Sequence, residues 1–147
     1  MKAKLEQQLL AVAKPVLLDR EQVQLMTFAR VGSVSAKRKL ATAATAAALT
    51  GGILIVNVRP RGMYVVLTDR RLLFFDGDKA SLGRPGKHLM TLPREQITAS
   101  APKGKAFGLA VQVELTVAGQ DKNLKILFPK PSREDGRQFT GLLPATS

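Results

Sequence analysis

The sequence predicts a mainly β chain with some α. It should contain about seven antiparallel strands in a bent sandwich or open barrel, capped by a C-terminal helix, with an added N-terminal helix. Three observations carry this. LAVQVELTV at 109–117 alternates strictly, with Leu109, Val111, Val113, Leu115 and Val117 on one face and Ala110, Gln112, Glu114 and Thr116 on the other. YVVLTDRRLLFF at 64–75 is a pair of apolar runs joined by the polar link Thr68-Asp69-Arg70-Arg71. After Pro131, the residues Phe139, Leu142 and Leu143 fall at i, i+3, i+4, the stripe of a helix that could plug the open end of such a sheet.

In chain order, Leu5, Leu9 and Val12 recur at helical spacing with Leu10 and Ala13 beside them, predicting a helix over 3–13 that Pro15 stops. QVQLMTFARV at 22–31 is a first strand, with Val23, Leu25 and Val31 opposite Gln22, Gln24 and Arg30. Residues 40–58 are 19 consecutive uncharged positions between Lys39 and Arg59, close to the length that spans a bilayer. Alanine and threonine contribute little insertion energy, however, and Gly51-Gly52 divides the segment. A small-residue helix over 37–49, a glycine turn and a strand-like ILIVNV fit it better.

Residues 63–68 and 71–75 form a hairpin turning at Asp69-Arg70. DGDKASLGRPG at 76–86 is a loop, KHLMTL at 87–92 a short strand, and 97–101 another. Ala118-Gly119-Gln120-Asp121 turns the chain into a strand whose Leu124, Ile126 and Phe128 oppose Asn123 and Lys125. Ser132 is the expected cap of the last helix, with Asp135 three residues on and Glu134 in its first turn. Gly136 and Gly141 weaken that helix, so packing must hold it.

The chain has 147 residues, enough for one domain, here 21–147 with an insertion at about 37–58, preceded by a helical extension over 1–20. It has no cysteine, which excludes disulfides and thiolate metal sites and fits a reducing cytoplasm. Glu6-Gln7-Gln8 interrupts the N-terminal stretch where a secretion signal needs an apolar run. The formal charge is +12, and between Glu21 and Asp69 there is no carboxylate while Arg30, Lys37, Arg38, Lys39, Arg59 and Arg61 all lie there. Such an imbalance favours anionic partners.

The strand-then-helix order, YVVLTDRRLLFF, and the later MTLPREQITAS together resemble the bacterial pleckstrin-homology-like (PH-like, GRAM-like) domain family. The first matches its hydrophobic-T-D-R-R-hydrophobic hairpin, the second its segment with a proline and a spaced isoleucine. The resemblance covers roughly residues 20–145 and departs from the family at the alanine-rich insertion. It implies a scaffold that binds lipid headgroups, peptides or proteins and rarely catalyses. In eukaryotic relatives the loop between the first two strands cradles inositol phosphates, between a lysine ending one strand and a basic-x-basic triplet starting the next. Arg59-Pro60-Arg61, followed by Gly62, Met63 and Tyr64, is similar to that triplet.

Lys37, Arg38, Lys39, Arg59 and Arg61 are therefore the candidate anion- or lipid-binding residues, although a chain this basic also forms solvated basic faces. The Arg70-Arg71 doublet reads as folding chemistry: Asp69 stabilises the turn while the arginines pair with nearby carboxylates or lie over the sheet. His88 has no nucleophile or orienting partner in view, so no catalytic site is expected. Asp76-Gly77-Asp78 lacks the further acids of a calcium loop, and Gly83 to His88 lacks the spacing of a phosphate loop, so neither metal nor cofactor is expected. The expectation is a non-enzymatic binding module, cytoplasmic or peripheral at the inner face of a membrane, whose partner is an anionic lipid surface or an acidic protein. Residues 40–58 offer a homo-oligomer contact or a membrane anchor as alternatives. Nucleic acid is a weaker alternative, since the chain has only six Phe and one Tyr and several fall in apolar runs.

Overall fold

The computed structural model describes residues 3–35, 59–77, 84–105 and 107–146. Helix α1 covers Ala3–Ala13 and α2 covers Arg133–Gly141; between them run β1 (Val23–Ser35), β2 (Arg61–Thr68), β3 (Arg71–Asp76), β4 (His88–Pro93), β5 (Ile97–Ala99), β6 (Lys103–Lys105), β7 (Ala110–Val117) and β8 (Lys122–Phe128). All strand pairs are antiparallel, in one open sheet of order β4-β3-β2-β1-β8-β7-β5, with β6 also on β7. The mainly β architecture with a helix at each end is the one the sequence predicts.

The eighth strand was not expected, and its origin is a break. β5 and β6 pair with the two halves of β7, and Pro102, which has no N–H to give, lies between them. Ser100 bridges the gap: its N–H donates to the Glu114 carbonyl at 2.9 Å, and its hydroxyl accepts the Glu114 N–H at 2.9 Å. The chain end adds to the same edge, with Ala145 beside Ala99 in a parallel bridge and Ala99 N–H bonded to the Pro144 carbonyl.

β1 runs four residues past the expected end, and this makes it the spine of the sheet. Its first part pairs with β2 (Leu25 with Leu67, Val31 with Arg61) and its last part with β8 (Arg30 with Leu127, Ser35 with Lys122). The inward positions of both edges, Leu92 of β4 and Ile97 of β5, belong to one apolar cluster with Val65, Phe74, Val113, Leu124, Ile126 and Phe128. The sheet therefore curls around its own core, and α2 closes it. Phe139 is wholly buried with its ring 5.6 Å from that of Phe128, a contact contributing about 2–3 kcal/mol by burial.

Three details of α2 correct the expected picture. The Ser132 side chain makes no capping bond; Asp135 instead accepts a 2.9 Å hydrogen bond from Thr27, tying the helix to β1. Leu142, the C-cap of the helix that ends at Gly141, is exposed, and of the stripe only Phe139 and Leu143 face inward. Gly136 serves the packing: a Cβ there would meet Phe128 Cδ2 at 2.7 Å and Val111 Cγ1 at 3.2 Å. Leu109 is likewise exposed, just ahead of β7.

The other side of the sheet carries a second cluster. Leu9 and Ala13 of α1 pack on Tyr64, Val66, Leu73 and Phe75, with Met26 and Phe28 at the margin. This explains why β2 and β3 lack polar alternation: both of their faces are covered. Among the described residues, neither helix packs on the rest of that face, on β1, β8, β7 and β6.

Candidate functional site

The polar link between β2 and β3 organises one end of the sheet. The Thr68 hydroxyl accepts the Arg71 N–H at 2.9 Å and donates to Glu21 Oε2 at 2.6 Å. Asp69 accepts the Gln22 N–H at 2.8 Å, and its own N–H donates to the Gln22 carbonyl. Arg71 grips Glu21 with two bonds, Nε to Oε2 at 2.9 Å and Nη2 to Oε1 at 2.5 Å, and also donates to the Val16 carbonyl. The Glu21 side chain is completely buried. The Arg71 bonds, with smaller help from Thr68 and the Leu18 N–H, outweigh burial and hold its carboxyl at about 2. Glu21 in turn pushes the Arg71 guanidinium up. The doublet is thus divided: Arg71 locks the α1–β1 connection to the hairpin, while Arg70 is half-exposed, 4.0 Å from Asp69. This is folding chemistry, as its turn position implied.

The part of the α1 side that lies on β1, β8, β7 and β6 has a different composition. Register places Lys103, Gln112, Leu127 and Arg30 in one row across β6, β7, β8 and β1, because directly paired residues share a face. Lys125 stands two residues from Leu127 on the same face, between Gly32 and Glu114, and Lys105 stands two from Lys103. Arg30, Lys103, Lys105 and Lys125 are all exposed. Among the described residues of these strands, Glu114 is the one carboxylate on this face. Arg30 and Lys125 line a hollow of about 190 Å³ with Gly32, Ser33, Val34, Pro60 and Leu127. Pro60 lies over Gly32, where a Cβ would meet its Cγ at 2.9 Å, and its carbonyl accepts from Arg30 at 3.3 Å. Two guanidinium- or ammonium-bearing chains around a small hollow can hold an anion.

Of the residues singled out from sequence, Arg59 is exposed beside this hollow, next to Pro60. Arg61 is engaged with the buried Asp76 at 2.6 Å, which gives it a share in folding. Lys37, Arg38 and Lys39 lie outside the described residues, as do the 37–49 helix, the strand-like 53–58 and the 40–58 segment offered for oligomer or membrane contact. Lys103, Lys105 and Lys125 were missed as site residues. Alternation around Lys125 marked it as outward, but nothing local joins it to Arg30 or Lys103.

A second, wider groove of about 640 Å³ lies at the opposite end of β2, lined by Asp69, Arg70, Arg94, Glu95, Leu142 and Pro144. Its charges balance, and Arg94 is spent on structure, donating to Gln24 at 2.5 Å and to the Thr68 and Leu142 carbonyls at 2.6 Å. His88 bonds Thr91 Oγ1 at 2.6 Å and packs its ring 5.3 Å from Phe75. Among the described residues, no three His, Asp or Glu side chains gather as metal ligands, and no helix is long and apolar enough to cross a membrane.

No family model matches the chain, and no curated protein is similar to it in sequence. Among solved structures it is similar to the hSac2 domain from human phosphoinositide phosphatase Sac2, at 13% identity and a TM-score of 0.42, over 97% of this chain and 80% of that one.

Proposed function

We propose that this chain is a non-enzymatic binding module of the bacterial PH-like kind, acting at the cytoplasmic face of an anionic membrane. The observation that carries the reading is the set of four exposed cations, Arg30, Lys103, Lys105 and Lys125, which strand register places on one face of β1, β8, β7 and β6, where neither α1 nor α2 packs among the described residues. Arg59 adds to that edge, and Lys37-Arg38-Lys39 follow closely on the end of β1 in sequence. Each cation near an anionic bilayer contributes about 1 kcal/mol before ordering costs. The architecture supports the PH-like assignment: an antiparallel sheet curled around one core, closed by a C-terminal helix. An acidic protein surface would satisfy the same charges and is the second reading.

Co-sedimentation with vesicles tests this, using neutral and anionic lipid at low salt and at about 0.5 M, where screening acts within a few Å. The expected result is pelleting that requires anionic lipid and fades in salt, and that falls several-fold in an Arg30→Gln/Lys125→Gln double variant with unchanged thermal unfolding. Pelleting that ignores lipid charge, or none at all, would overturn the membrane reading and turn attention to the acidic protein.

A further inference from the structure

The hairpin between β6 and β7 carries a residue that folding does not explain. Phe107 is fully exposed, at 107% relative accessibility, and Leu109 is 49% exposed. Phe107 also sits at φ 58°, in the left-handed region that an aromatic residue occupies at a cost of about 1–2 kcal/mol. Glycine would relieve that strain, and Gly108 next to it has φ 83°. A phenylalanine here buries nothing and adds strain, so its use lies outside the fold.

We infer that this tip is a membrane anchor: Phe107 and Leu109 enter the interfacial layer of an anionic bilayer while Lys103 and Lys105 on the hairpin stem meet the phosphates. The inference rests on the membrane reading above and names the element that leaves the water. Charge supports it, because the stem is Lys-Gly-Lys with every residue exposed, and both lysines belong to the basic face. The tip is also held in place. Gly108 N–H donates to the Lys105 carbonyl at 3.1 Å, and Arg133, at the start of α2, donates to the Gly108 carbonyl at 2.9 Å. An apolar end beyond a cationic collar is the arrangement that lies several Å into the headgroup boundary.

The chain has no tryptophan, so Phe107→Trp introduces a single fluorescent reporter at the tip. With vesicles containing anionic lipid, its emission should shift to the blue and be quenched by brominated acyl chains. In parallel, Phe107→Gly should keep or raise the unfolding temperature while weakening vesicle partition roughly tenfold, as expected for one aromatic side chain partly withdrawn from water. If the wild-type chain pellets with anionic vesicles but the indole still emits as in water, or Phe107→Gly binds as well as wild type, the anchor is wrong and the basic face alone binds. If the wild-type chain does not pellet at all, the anchor and the membrane reading fall together.

Discussion

Glu21→Gln keeps the shape of the side chain and removes the charge around which Arg71, Thr68 and the Leu18 N–H are arranged. A carboxyl held at about 2, against an ordinary 4.5, reflects roughly 3 kcal/mol of preference for the ionised form in the folded chain. The Glu21 side chain has no solvent exposure and Arg71 is only 20% exposed, so water screens the pair little. Glutamine would also turn an amide N–H toward donors that need an acceptor, leaving the guanidinium poorly matched. The expected loss is about 3 kcal/mol at neutral pH, or about 6–12 °C in unfolding temperature for a domain of this size. The sign with pH follows from the lowered carboxyl. The stabilisation is complete above about pH 5 and is lost as pH falls through about 2, so roughly two-fifths remains near pH 3. Denaturant unfolding of both proteins from pH 7 to 3 should show a gap that holds to about pH 5 and then narrows as wild type loses what the variant never had. A gap of under 1 kcal/mol at pH 7, or one that stays constant down to pH 3, would refute the assignment of Glu21 as the buried anchor of Arg71.

Two further tests concern packing and closure. Gly136→Ala should destabilise by about 1–3 kcal/mol, because the added methyl would press on Phe128 and Val111. Gly141→Ala, with nothing within 4 Å of the new Cβ, should be neutral or stabilise by up to about 1 kcal/mol; thermal melts that rank the two in the opposite order would contradict the helix packing. Arg94→Ala removes hydrogen bonds joining β1, the end of β2 and the last turn of α2, so it should cost about 2–3 kcal/mol. Hydrogen exchange should accelerate first at the amides of Ala99, Leu142 and Thr146, and uniform acceleration across the sheet would count against a local clasp.

Where neighbouring residues decide the outcome, the sequence alone was sufficient. Backbone geometry alternates the faces of a strand, so LAVQVELTV and its partner at 122–128 announced themselves, and a turn at Asp69 followed from its side-chain chemistry. The class of fold, the two helices and the structural character of the Arg70-Arg71 doublet were legible on those grounds. β6 was not, since Lys-Gly-Lys has no apolar period and is held only by β7. Neither was the role of Glu21, whose partner stands 50 residues away. Gly136 looked like a weak point of a helix until Phe128 was seen beneath it, and α1 looked amphipathic without showing which sheet face it would cover. The basic surface is the clearest case. Arg30, Lys103, Lys105 and Lys125 belong to separate stretches of chain, and only the register of β1, β8, β7 and β6 sets them on one face. Periodicity is a property of a few consecutive residues; a surface is a property of strand pairing, which the curled core selects.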